Sequence, residues 1–493
     1  MPSNTDKALK GMSSQALVTV LLGVLEVVSF AIMSRVLSKE DFGFYAAINA
    51  IVLVFASISE TGIGTAIVQK KEINSRYIGN AFTLSVIIGL ISTIVLFVAA
   101  LFLPEKVVSQ EMRIPLMLMS VTLFLNCVTS VFRSILHRQL KFLQMGVVQL
   151  IALFITTVVA VLLALKGYGF YAIITKAILG SIISSILFYV LSRTKYSLML
   201  DKETFKDIFG FSGWLMASAF FRDLSKQIDK LIMPRVMSIG ELGAYTRPKD
   251  FINTFSGKIN GIFDGALFPI LSSLQDDKAA LASAYKRSLF SMNLFSLLLA
   301  LAFAINAELL LRLFFGAEWL YLTPVFIIFS ALVFFNADGR IADCYLRSLG
   351  KTKEQFYFRI IEFMAKTIGV LAGFKWGLIG VAIGTTLMEC VIKLVKVIYA
   401  GSLVSISMHN TLRILLQSCR FTIVLIPACL LVYFLSAGLT REIVVLVVFI
   451  ILSLILFLFC PSLVGEDYKN DLYPTIRNYA YNLLRKLSHS RIK

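Results

Sequence analysis

At 493 residues the chain is long enough for two or three soluble domains, but 58% of its residues are hydrophobic, 15% are charged and the mean hydropathy is +0.83. That balance excludes a water-soluble multidomain enzyme and leaves a polytopic membrane protein. The net charge of +18 then reads as membrane topology and attraction to anionic lipid, with no nucleic-acid partner.

Stretches of roughly 20 mostly apolar residues, the length that crosses a hydrocarbon core, recur along the whole chain. They fall near 13–34, 42–62, 78–103, 113–134, 143–165 and 169–191, then 210–233, 245–270, 287–312, 322–346, 356–374 and 377–400, and finally 414–435 and 442–461. An all-α protein of about 14 spans is expected, with loops too short for a soluble domain. The first stretch is long, contains Glu26 and lacks a small-residue cleavage site, so it is expected to be retained as a span. Lys and Arg concentrate in the segments that face inward when the amino terminus is cytoplasmic, which puts both termini inside. The six cysteines lie within or beside these stretches without a metal-ligand spacing, and read as small core residues.

One short pattern occurs twice, 200 residues apart. Arg35-Val-Leu-Ser38-Lys-Glu-Asp41-Phe-Gly43-Phe-Tyr45 matches Arg235-Val-Met-Ser238-Ile-Gly-Glu241-Leu-Gly243-Ala-Tyr245. Each copy separates two apolar runs and contains Ser-x-x-Asp or Ser-x-x-Glu, a capping box that starts a helix. Each therefore reads as a tight helix-turn-helix elbow, with Arg35 and Arg235 at helix carboxyl ends, Ser38 and Ser238 as caps, and Gly43 and Gly243 allowing close packing. The duplication continues. Arg347-Ser-Leu followed by Phe356 echoes Arg133-Ser-Ile followed by Phe142, and Gly377, Ala382, Ile383 and Thr385 echo Gly167, Ala172, Ile173 and Thr175.

A repeated unit of six helices has the same orientation in both copies, related by an axis along the membrane normal. The expected organisation is a six-helix lobe over 1–197, an interfacial linker helix over 198–209, a second six-helix lobe over 210–400, and an appendage over 401–493. That appendage holds the last two spans and a basic amphipathic cytoplasmic tail.

Further residues around the elbows carry a family likeness. Gly210-Phe-Ser, Gln227-Ile-Asp229-Lys230-Leu-Ile, Gly243-Ala-Tyr245-Thr-Arg247 and Leu267-Phe268-Pro269-Ile-Leu271-Ser, with Ser59-Glu60-Thr-Gly62-Ile-Gly64 in the first half, resemble the O-antigen type polysaccharide flippases. Those belong to the multidrug/oligosaccharidyl-lipid/polysaccharide exporter superfamily. The resemblance implies a bacterial inner-membrane carrier that moves a polyprenyl-diphosphate-linked oligosaccharide from the cytoplasmic to the periplasmic leaflet. It implies no covalent chemistry and no cofactor or metal. Its partners would be the lipid-linked glycan, membrane lipids, and polysaccharide polymerase and assembly proteins, with the carrier itself a monomer. Many members have twelve spans, so the last two are a departure or a subfamily feature.

Ionisable groups inside spans are costly and mark pathways or pairs. Arg222, Lys226, Asp229 and Lys230 follow at i, i+4, i+7 and i+8, one helical face that would present cations to a diphosphate. The bland alternative is a self-neutralising ladder with Asp229 tied to Lys226 or Lys230. Glu26 stands 200 residues before Lys226, so the two lobes offer opposite charges at matched sites, candidates for charge exchange. Lys176 and Lys258 are lone cations expected to line the cleft, and Asp338 is a candidate proton or hydroxyl site. Glu362 with Lys366, and Glu389 with Lys393, have the i, i+4 spacing of surface ion pairs. Tyr45 and Tyr245 are candidates for sugar contact or for packing within the elbows. Other exporters of the superfamily remain open as a reading, namely a peptidoglycan lipid flippase or a multidrug exporter. A membrane polymerase or ligase is disfavoured by three dispersed histidines and short outer loops.

Overall fold

A computed structural model describes residues 4–459 apart from 61–62, 71–72, 106–108, 195, 200, 275–276, 421 and 436–438. Within its helices the side chains of several stretches, 4–17, 202–218 and 258–266 among them, are likewise outside the description. The chain runs through α1 (Asn4–Val36), α2 (Lys39–Glu60), α3 (Ile63–Gln69), α4 (Ser75–Phe102), α5 (Gln110–Arg138), α6 (Phe142–Leu165), α7 (Phe170–Ser192), α8 (Lys202–Val236) and α9 (Ile239–Ser273). It continues through α10 (Lys278–Ile305), α11 (Ala307–Phe314), α12 (Thr323–Ser348), α13 (Thr352–Gly373), α14 (Gly377–Leu403), α15 (Met408–Ser418), α16 (Thr422–Leu435) and α17 (Leu439–Phe459). Among the described residues there is no strand.

Helices occupy all fourteen apolar stretches, but ten segments are long and apolar enough to cross a membrane by length and composition among the described residues. One of the ten, Thr352–Leu403, runs through both α13 and α14, and another, Met408–Phe434, joins α15 to α16. Residues 202–236 form one uninterrupted helix, so residues 202–209 of the segment read as a linker helix are continuous with α8. The side chains of Phe205, Ile208 and Phe209 lie outside the described residues, as does the amphipathic tail. The stretch 414–435 is not a single helix: α15 ends at Ser418, and Arg420 sits exposed in the turn before α16.

Contacts divide the chain into two compact units. The first holds Met1–Arg247, Phe314–Gly316 and Arg359–Thr385, and the second holds Pro248–Leu313, Ala317–Phe358 and Thr386–Lys493.

In the first unit both elbows are built by the same short-range chemistry. The Ser38 amide and hydroxyl donate to Asp41 Oδ2 at 3.0 and 2.8 Å, and the Asp41 amide donates back to Ser38 Oγ at 3.2 Å. In the second elbow the same three bonds join Ser238 to Glu241 at 2.9, 2.8 and 3.2 Å. The elbows also meet each other. A Cβ on Gly43 would overlap the Ile239 carbonyl oxygen, and one on Gly243 would overlap the Lys39 carbonyl oxygen. Residue 39 corresponds to 239 and 43 to 243, so the contact is reciprocal. Asp41 has a second role, because its Oδ1 accepts from the Phe170 amide at 2.8 Å and so caps α7.

The turns before α7 and α14 also share a device. Gly167 has φ +83° and Gly377 φ +68°, the left-handed region in which only glycine is unstrained. In the second unit α10 packs on α12 and on α15. Phe251, Phe303 and Phe326 cluster there, and Tyr285 meets Tyr345 edge-on at 4.7 Å. Aspartate starts α10 too: Asp277 Oδ1 accepts from the Ala279 and Ala280 amides.

Candidate functional site

The first unit contains an open concavity of about 400 Å³, bounded by α2, α5, α6 and α7. Its wall is rich in groups that bond hydroxyls: Tyr45, Asn126, Gln149, Thr156, Ser181 and Ser184, with Lys176 as its cation. Four of the helices long and apolar enough to cross a membrane supply this lining. The polar residues are spaced along helix faces that would otherwise be apolar; α7 places Lys176, Gly180 and Ser184 at i, i+4, i+8.

Lys176 is oriented from outside the concavity. Its Nζ donates to Ser29 Oγ, which also accepts from Thr157 Oγ1 at 3.2 Å. Glu26 and Arg247 are within electrostatic reach of the same ammonium. Arg247 is held between two rings, its guanidinium carbon 3.6 Å from the centre of Phe30 and 3.8 Å from that of Phe42. It also donates to the Phe30 carbonyl oxygen at 3.2 Å and to Ser34 Oγ. A guanidinium stacked in this way is pre-ordered.

The charges of α8 differ in their surroundings. Arg222 forks onto Asp223 through Nε and Nη2 at 3.0 and 2.7 Å, and Lys226 Nζ joins the same carboxylate at 3.1 Å. Lys226 is 62% exposed, whereas Asp229, one turn on, is fully buried. Asp229 Oδ2 accepts from the Tyr245 hydroxyl at 2.9 Å, and that hydroxyl lies 3.0 Å from Thr385 Oγ1. The Lys230 amide donates to Asp229 Oδ1 at 2.9 Å. Asp223 thus serves Arg222 and Lys226, and Asp229 bonds to the second elbow's tyrosine.

The two tyrosines of the elbows part company. Tyr45 is on the wall of the concavity, while Tyr245 is completely buried. The side chain of Lys258 lies outside the described residues.

The second unit carries a largely buried charge network that extends beyond the pair singled out by spacing. Lys393 bonds Glu389 at 2.7 Å and also Asn336, and Lys249 approaches Glu389 to 3.7 Å. Lys396 pairs with Asp343 at 2.8 Å, and Gln355 Nε2 donates to the same oxygen at 3.1 Å. The Glu389–Lys393 pair therefore exists, but as part of a buried network on α14 facing α12, not on a helix surface. Glu362 bonds Arg359 at 2.7 Å, and the buried Lys366 donates to the Ser225 carbonyl oxygen at 3.0 Å. The missed signal was the run Glu389, Lys393, Lys396, whose i, i+4, i+7 spacing marks one helix face. Asp338 is buried against Asn293.

Comparison with known proteins agrees with this architecture. A family model described as polysaccharide biosynthesis protein matches residues 32–324. Lipopolysaccharide biosynthesis protein WzxC of Escherichia coli (strain K12) is 22% identical over 396 residues, covering 78% of this chain and 79% of the relative. Succinoglycan biosynthesis transport protein ExoT of Rhizobium meliloti (strain 1021) is 25% identical over 357 residues, 71% of each. Among solved structures, lipid II flippase MurJ in an inward closed conformation superposes with a TM-score of 0.66 at 17% identity, covering 90% of this chain and 98% of that one. At such identity the likeness is one of fold. The family model covers more than half of the chain, from the first elbow through the second, and the chain belongs to the polysaccharide biosynthesis protein family.

Proposed function

We propose that the protein is a transporter that flips a polyprenyl-diphosphate-linked oligosaccharide from the cytoplasmic to the periplasmic leaflet of the bacterial inner membrane. The observation that carries this reading is the polar concavity holding Lys176 and Tyr45 among helices of membrane-crossing length. Sugar hydroxyls and a diphosphate pay heavily to enter hydrocarbon, whereas a polyprenyl chain does not. A carrier needs only to house the head group, and hydroxyl and amide side chains with a fixed ammonium supply that environment. The names and likenesses of the relatives support the same class, since ExoT is a transport protein and MurJ a flippase.

In this reading the chain has fourteen spans with both termini cytoplasmic, and two six-helix repeats with a two-span appendage. The reciprocal elbow contact supports the repeat, because duplicated elements meeting across a pseudo-two-fold axis present residue i to residue j and j to i. The elbows then lie on the periplasmic side, and transport proceeds by alternating access as they part. Head-group binding must favour one state through contacts it lacks in the other. Lys176 and the stacked Arg247 meet the diphosphate, Tyr45 a sugar ring, and Glu26 restrains Lys176 between cycles. Arg222, Lys226 and Lys230 attract the anionic cargo toward the cavity, with Lys258 as a further cation of the path. Asp229 acts with Tyr245 in positioning the second elbow.

The test is flipping of a fluorescent polyprenyl-diphosphate-linked sugar in proteoliposomes. Lys176→Gln is expected to lower flipping at least tenfold with membrane insertion and melting temperature unchanged. Wild-type rates in that variant would remove the concavity from the mechanism.

A further inference from the structure

The second unit holds a polar pair with no ordinary explanation. Asp338, on α12, is 1% exposed and Asn293, on α10, is 0% exposed. The two side chains are neighbours. Yet among the described residues neither carboxylate oxygen of Asp338 and neither polar atom of Asn293 meets a hydrogen-bond partner at bonding geometry. Four such atoms at one spot are conspicuous, because buried polar groups are otherwise almost always satisfied.

An ion pair does not account for the site. From α14, Lys393 lies against Gly339, the residue after Asp338, where an added Cβ would be 3.2 Å from its Cγ. Its ammonium is committed to Asn336 and Glu389, and Lys396 on the same helix is committed to Asp343. On α12 itself Arg340, Asp343 and Tyr345 complete the nearby titratable groups. From α10 comes Tyr285, from α14 Cys390, and after α15 Cys419, each within electrostatic reach of Asp338. The Tyr285 hydroxyl already donates to the Val397 carbonyl oxygen at 2.6 Å. Thiols and a committed phenol make a poor shell for a hard cation, which wants several oxygen ligands.

A neutral carboxylic acid does fit. A carboxylate can only accept, so beside a primary amide it would leave Asn293 Oδ1 without a donor. The protonated acid donates its O–H to Asn293 Oδ1 and accepts from Asn293 Nδ2–H, which closes a cyclic pair and satisfies both groups. Such a pair also avoids placing an uncompensated charge in the helix core.

We propose that Asp338 and Asn293 form a proton-binding site, and that a proton taken up here is released to water when α10 and α12 move apart, coupling a proton gradient to the carrier's cycle. The coupling rests on the transport reading above; the proton site does not. Loss of the proton restores the carboxylate, which is stable only where water reaches it, so the closed packing of this unit requires the protonated form.

Two measurements test it on the full-length protein. Infrared spectroscopy in lipid nanodiscs should show a neutral carboxylic acid carbonyl band at neutral pH that Asp338→Asn removes and Asn293→Leu shifts in frequency. The second variant keeps the carboxyl, so a folding failure of the first does not blunt the test. Absence of the band from wild type, or its survival in Asp338→Asn, overturns the site. In proteoliposomes carrying the fluorescent lipid-linked sugar, an imposed pH gradient should accelerate flipping several-fold in wild type, and Asp338→Asn should abolish that response. A sodium gradient should have no effect. A sodium response, or a pH response retained in Asp338→Asn, overturns the coupling. If wild type shows the band but flips no cargo under any gradient, the transport reading fails while the proton site stands.

Discussion

The two elbows are built alike and used differently. Ser38 with Asp41 and Ser238 with Glu241 make the same three hydrogen bonds, and Gly43 and Gly243 make mirror-image contacts with the partner elbow's backbone. Two residues beyond each glycine the likeness ends. Tyr45 lines a polar concavity with Lys176, whereas Tyr245 is sealed in and bonded to Asp229 and Thr385. The two elbows share their local backbone chemistry, while the environment of each tyrosine follows from its neighbours. Tyr45 faces a concavity and Tyr245 is sealed within the packing.

Substitutions can break this comparison at graded cost. Gly243→Val should have the largest effect, because its side chain would collide with the rigid Lys39 backbone. A loss at or above the upper end of the roughly 1–3 kcal/mol typical of overpacking is expected, read as a lower melting temperature in detergent. Gly43→Val should match it, and a mild effect of either would deny the close approach.

Tyr245→Phe should come next. It takes a donor from the buried Asp229 carboxylate and should cost about 1–3 kcal/mol of stability, visible in the same melting assay. Tyr45→Phe should leave melting unchanged and reduce flipping of the lipid-linked sugar. Equal stability losses in the two would erase the functional distinction drawn between them.

Ser38→Ala and Ser238→Ala should each cost about 1 kcal/mol, the ordinary value of a helix cap, and by similar amounts. Smallest of all is Lys226→Gln. Its bond to Asp223 is mostly exposed, so stability should change by no more than about 1 kcal/mol. A larger destabilisation would show that the Arg222–Asp223–Lys226 cluster is more tightly enclosed than its exposure indicates.

The legible features were those determined by short stretches of chain. Helices, elbows and the equivalence of Gly167 with Gly377 all follow from apolar run length, capping chemistry and local backbone preference. Side-chain pairing was less legible. Arg222 reached Asp223 next to it, Glu362 gained Arg359, and Lys366 gained the Ser225 carbonyl oxygen from another helix. Helical spacing specifies which residues can meet within one helix, and it is silent on the neighbour that arrives from another. For the same reason Arg247 and Asn293 passed unremarked as functional groups. Arg247 gains its meaning from the rings of Phe30 and Phe42, and Asn293 from a carboxylate on a different helix.

Sequence by itself determined that this is an all-helical membrane protein with duplicated capped elbows, since hydrophobic length and capping act within a turn or two of helix. Only the tertiary structure decided which polar groups share a cavity and which are sealed away. Lys176 and Tyr45 come from helices more than a hundred residues apart, and Asp338 lies beside Asn293 only because α10 packs on α12. In a low-dielectric interior a polar side chain takes its state from the partners that packing brings to it, and those partners are remote in the chain.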